Sequence, residues 1–66
     1  MRVSVNGAPA ELDDATTVTQ LVTQRAPDAR RVAVARNGTV VPRSAWSQTE
    51  LESGDAVEVL SATAGG

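Results

Sequence analysis

Gly65-Gly66 close the sequence, and they are the residues best suited to chemistry in this chain. Glycine has no Cβ, so a Gly-Gly segment can enter a channel too narrow for any other dipeptide. A carboxylate on Gly66 would sit on the least hindered backbone available. The chemistry expected is therefore that of a reactive terminal carboxylate on Gly66, with Ala64 and Gly65 as the thin tail that presents it. The plain alternative is a solvated end, which is how most termini behave.

The remaining composition narrows the possibilities. The chain has 66 residues, no Cys and no His. All six basic residues are Arg, so Lys is absent too. The usual general base, the strongest nucleophile and any side-chain amine are thus missing. A domain of this size buries only about 60% of its unfolded surface and cannot enclose a drug-sized pocket. An independent enzyme is not expected, and neither is a bound cofactor. Without Cys or His a zinc site is not expected, and the carboxylates lack calcium-loop spacing. The Asp13-Asp14 pair reads as a helix start rather than a metal or acid-base site. A net charge of −2 and a single aromatic residue, Trp46, argue against nucleic acid. No apolar run reaches membrane length and no signal-peptide core is present. A soluble cytoplasmic protein is expected.

Short elements must position the tail. Met1 to Val5 alternates, with Val3 and Val5 on one face. Asn6-Gly7 is a hairpin signal, because both turn positions tolerate positive φ. Ala8 to Leu12 returns, and Pro9 points to a sheet edge. Asp13, Asp14, Thr16 and Thr17 offer oxygens to the free amides of a helix start. Val18, Leu21 and Val22 then recur at helical spacing, which predicts a helix from Thr17 to Ala26, stopped by Pro27. Val32 to Arg36 is a strand, Asn37-Gly38 a second hairpin turn, and Thr39 to Val41 its return. Ser44 to Glu52 has no clear period; a short helical turn plus irregular chain is expected, with Trp46 and Leu51 as hydrophobic plugs. Gly54-Asp55 is a turn in which Asp55 bonds to nearby amides. Ala56 to Ser61 is the last strand. The order predicts an α+β domain with one helix across one face of a mixed four- or five-stranded sheet. The domain spans residues 1–61, and residues 62–66 form a flexible Gly-Gly tail.

In the last strand Val57 and Val59 share the core face. Ala56, Glu58, Leu60 and Ala62 then point the other way. Leu60 is either a single exposed leucine, which is ordinary, or the centre of a docking patch with Ala33, Ala35 and Ala62. Its place directly upstream of the glycines favours the docking reading. Glu58, Leu60 and Ala62 are thus candidate partner-binding residues. Arg43 is a fourth candidate, because it pairs either with a carboxylate of its own surface or with a partner.

The run Arg36-Asn37-Gly38-Thr39-Val40-Val41-Pro42-Arg43, then Trp46, Leu51, Gly54-Asp55, Val57-Glu58-Val59-Leu60 and Gly65-Gly66, resembles the ThiS family, the sulfur carriers of thiamine biosynthesis. The resemblance covers nearly the whole chain. It implies a ubiquitin-like β-grasp fold with the first and last strands parallel and adjacent in the centre. The family often carries bulkier apolar residues where this chain has Ala62, Thr63 and Ala64.

The resemblance further implies a protein cosubstrate. An E1-like adenylyltransferase, using ATP and magnesium, would join the Gly66 carboxylate to AMP. A persulfide sulfur, supplied through a cysteine desulfurase or an equivalent donor, would displace the AMP. The Gly66 thiocarboxylate would then serve thiazole synthase. Two other readings of the same residues stay open. One is the small subunit of molybdopterin synthase or a related pathway, although such subunits are typically longer and richer in Phe. The other is a ubiquitin-like protein modifier.

Overall fold

A computed structural model describes residues 1–27 and 31–62. The element order is β1 (Arg2–Val5), β2 (Ala8–Glu11), α1 (Val18–Arg25), β3 (Arg31–Arg36), β4 (Thr39–Val41), a 3-10 helix (Arg43–Gln48) and β5 (Ala56–Ala62). The five strands form one sheet in the order β2-β1-β5-β3-β4. β1 and β5 are parallel, whereas β1–β2, β3–β4 and β3–β5 are antiparallel. The chain enters and leaves through the centre of the sheet, as the resemblance implies. β5 continues to Ala62, one residue beyond the expected strand.

Both hairpins follow from their Asn-Gly turns. Asn6 and Asn37 have φ of 51°, and Gly7 and Gly38 have φ of 83°. Two consecutive left-handed residues make the turn whose twist matches the flanking strands. Pro9 lies on edge strand β2, where its missing N–H costs no ladder bond.

Helix α1 is only eight residues long, and its start is fixed twice. The Thr17 hydroxyl accepts from the Gln20 amide, and the Gln20 side chain accepts from the Thr17 amide. This capping box satisfies two of the donors a helix start leaves free. The Val18 amide donates to the Thr49 carbonyl and the Leu51 amide to the Thr16 carbonyl. The helix is thereby tied to the segment after the 3-10 helix. Ala15 holds a φ of 65°, a region that a residue with a Cβ rarely adopts. Nothing in the residue types foretells it.

The core lies between α1 and one sheet face. Val3, Val5, Val34, Val57 and Val59 come from the sheet, and Val18, Leu21 and Val22 from the helix. Trp46 and Leu51 close it, as expected; Trp46 is 7% exposed. The indole N–H donates to the Val41 carbonyl at 2.8 Å, so the one polar atom of this plug is satisfied.

Candidate functional site

β5 leads into the glycine tail and is held on both sides. Ala64, Gly65 and Gly66 themselves lie outside the described residues. Along β3 the pairing runs from Arg36↔Val57 to Arg31↔Ala62. Along β1 it covers Ser4↔Ala56 and Val5↔Val57 only. Both turn asparagines add to this grip. The Asn6 carboxamide accepts from the Val59 amide at 2.8 Å and donates to the Val59 carbonyl at 3.1 Å. The Asn37 side chain accepts from the Ala56 amide at 2.9 Å. Sequence reading finds the turns and misses these reaches, because they span 53 and 19 residues.

The side-chain faces of β5 fall as expected. Val57 and Val59 are buried, Glu58 is exposed, and Leu60 is 71% exposed. Cross-strand partners share a face, so Leu60 lies beside Ala33, and Glu58 beside Ala35. The same register brings in Val40, opposite Ala35 on β4 and also 71% exposed. Ala62 is the backbone partner of Arg31. A shallow groove beside Leu60 is lined by Arg31, Val32, Ala33, Leu60 and Ser61. The patch therefore runs across β5, β3 and β4. Sequence reading assembled Leu60 with Ala33, Ala35 and Ala62 but omitted Val40, because β4 is too short to declare its outward face.

Arg43 does not join this patch. It lines a different groove, of about 410 Å³, with Thr19, Val22, Thr23 and Trp46 on the helix side of the sheet. Its guanidinium lies 4.7 Å from the centroid of the Trp46 ring. A 3-10 helix repeats every three residues, so positions 43 and 46 stack one above the other. Among the described residues no surface carboxylate pairs with it; the side chain covers the indole face.

Asp55 does more than complete a turn. It is 6% exposed. One carboxylate oxygen accepts from the Glu52 amide at 2.8 Å and from Arg36 Nε at 2.8 Å. The other accepts from Asn37 Nδ2 at 3.0 Å. The group thus fastens the start of β5 to the end of β3. Burial alone would raise its pKa, but the Glu52 amide, the Asn37 amide and Arg36 outweigh burial and hold it below the ordinary carboxylate value.

A carboxylate whose pKa is lowered by folding stabilises the fold above its unfolded pKa. That contribution is lost as the pH falls through the folded value. The protein is therefore expected to weaken as the pH drops below about 4. Asp55→Asn should flatten that part of the profile. Denaturation midpoints measured across the acid range provide the check, and identical slopes in the two proteins would show that Asp55 contributes nothing to acid sensitivity.

Among the described residues no group of His, Cys, Asp or Glu side chains could hold a metal ion. No helix among them is long and apolar enough to cross a membrane.

A helix laid across one face of a mixed sheet, with parallel first and last strands at its centre, defines a ubiquitin-like β-grasp protein. The ThiS family model matches residues 3–66. A crystal structure of the thiamine biosynthesis protein ThiS from Geobacter metallireducens superposes with a TM-score of 0.81 at 38% identity, covering all of both chains. A solution structure of a thiamine biosynthesis protein from the same organism gives a TM-score of 0.76 at 39% identity, covering all of this chain and 88% of the other. A thiazole synthase of Paramagnetospirillum magneticum is 33% identical over 66 residues, which is all of this chain and 20% of that protein. The chain thus spans about a fifth of that relative's length. The chain belongs to the ThiS family.

Proposed function

We propose that this protein is the sulfur-carrying cosubstrate for the thiazole of thiamine, with Gly66 as the carrier residue. In this reading the Gly66 carboxylate attacks the α-phosphorus of ATP on an E1-like adenylyltransferase, and pyrophosphate leaves. Magnesium belongs to that enzyme. A terminal persulfide sulfur, delivered from a cysteine desulfurase or an equivalent donor, then attacks the acyl carbonyl, and AMP leaves. A thiol cleaves the resulting acyl disulfide and frees the thiocarboxylate, which passes to thiazole synthase. The chain supplies a handle and a leash, and the enzymes supply the catalysis. We place it with those enzymes in the cytoplasm.

One observation carries the choice of pathway. A segment similar to the whole of this chain occurs inside a protein that is itself a thiazole synthase. The geometry supports the handle: an exposed Leu60–Ala33–Val40 surface lies just upstream of Ala64, Gly65 and Gly66. Reconstitution tests the reading. The chain, ATP, an E1-like adenylyltransferase and a persulfide donor should support thiazole phosphate formation by thiazole synthase. Sulfur transfer to a molybdopterin precursor instead would refute the pathway.

The surface makes its own prediction. Leu60→Glu places a charge on a solvated face, where substitutions usually change stability by about 0.5 kcal/mol or less. Binding to the adenylyltransferase should weaken, because that charge must be desolvated at the contact. Titration of both proteins by calorimetry gives the answer. A fall in melting temperature with unchanged affinity would assign Leu60 to the core.

A further inference from the structure

We infer that Asn6 is a positioning residue for the tail: its carboxamide stands in for the peptide group that β1 cannot supply and fixes the direction in which β5 leaves the sheet. This rests on the carrier role proposed above. The Ser4 amide donates to the Asp55 carbonyl and the Asn6 amide to the Val57 carbonyl, both at 2.9 Å. A continuing parallel ladder would next offer Val59 the carbonyl of residue 6 and the amide of residue 8. The chain has by then turned away at Asn6-Gly7 into β2. The Asn6 side chain fills both positions, with Oδ1 taking the Val59 amide and Nδ2 reaching the Val59 carbonyl. A carboxamide carries the same donor and acceptor as a peptide bond, which is why this residue type serves. Ala8, across the turn, is already paired with Val5 in the hairpin.

The consequence concerns the last residues of β5. From Val59 onward, β3 pairs one edge of the strand, and on the β1 side Asn6 is the last rung. Without it, the root of the tail would be held along one edge only. It would sample more directions, and an enzyme that draws Gly66 into a nucleotide site would have to order it again. The effect belongs in the encounter with the adenylyltransferase, not in the chemical step.

The variant Asn6→Gly separates this role from the turn, because glycine accepts the φ of 51° at no steric cost. Asn6→Asp keeps the acceptor but at neutral pH removes the donor and sets a charge against the Val59 carbonyl. Two readouts are needed on the full chain. In hydrogen exchange by NMR, the Val59 amide of Asn6→Gly should exchange about tenfold faster, while the Val34 and Val57 amides stay protected. In pyrophosphate release with ATP and the adenylyltransferase, KM should rise about 3- to 10-fold with kcat unchanged. Asn6→Asp should raise KM as well. A uniform rise in exchange across the core would make Asn6 a general stability contact and overturn the inference. An unchanged KM beside a wild-type chain that is activated would also overturn it. Failure of the wild-type chain to release pyrophosphate would instead refute the carrier role, and the exchange result would still report on the clamp.

Discussion

Trp46→Ala is expected to cost about 3–5 kcal/mol, the usual range for deleting a large buried aromatic side chain. The indole is nearly fully buried where the 3-10 helix meets α1 and the sheet. No other aromatic residue exists to share the space. The substitution also removes the indole donor from the Val41 carbonyl and the surface on which Arg43 lies. A domain of this size has only about 5 kcal/mol of stability in total, and it has no disulfide to limit the unfolded state. The variant should therefore be largely unfolded at room temperature. Equilibrium denaturation by urea decides the matter, and a curve like that of the wild type would remove Trp46 from the core. Arg43→Ala is the milder companion. A single exposed cation over an aromatic face contributes about 0.5–1 kcal/mol, so this variant should stay folded.

Deletion of Gly66 should leave the domain folded and abolish activation. The deletion draws the carboxylate back by about 3.5 Å, and productive attack on a phosphorus requires far closer placement than that. Adding one residue after Gly66 should be equally damaging. The Gly66 carbonyl is then locked in an ordinary amide, and the new acid lies beyond the nucleotide site. Gly65→Val fails for another reason, since a β-branched side chain restricts the backbone and widens a segment that must thread a narrow channel. Thermal melts of all three variants should overlay the wild type, whereas pyrophosphate release should be lost. Normal release from the Gly66-deleted chain would contradict the carrier assignment.

Most of the fold was legible because its signals are local. Val3 and Val5 alternate, Val18, Leu21 and Val22 recur at helical spacing, and two Asn-Gly pairs announce the hairpins. The parallel pairing of β1 with β5 is not local, and it came from the family resemblance rather than from the residues. What stayed hidden depends on chain segments far apart in sequence. Asn6 and Asn37 read as turn formers, yet their side chains complete the pairing of β5. Asp55 read as a turn residue, yet its main side-chain partners are Arg36 and Asn37 on the other side of the 3-10 helix. Val40 gave no sign that it joins Leu60, because three residues of strand cannot establish which side faces the core. Arg43 could have been placed: a three-residue spacing to Trp46 within a 3-10 turn puts both side chains on one side. The tail carries the chemistry in the function proposed above, and its glycines were conspicuous from residue type alone.

The central claim is that Gly66 accepts sulfur, and intact-mass spectrometry tests it most directly. The protein is incubated with ATP, magnesium, the E1-like adenylyltransferase and a persulfide donor, then weighed without proteolysis. The expected product is heavier than the starting chain by the difference between one sulfur and one oxygen atom. The gain should disappear when ATP is omitted or Gly66 is deleted, and fragmentation should place it on Gly66. An unchanged mass with all components active, or a gain located on any other residue, would contradict the account.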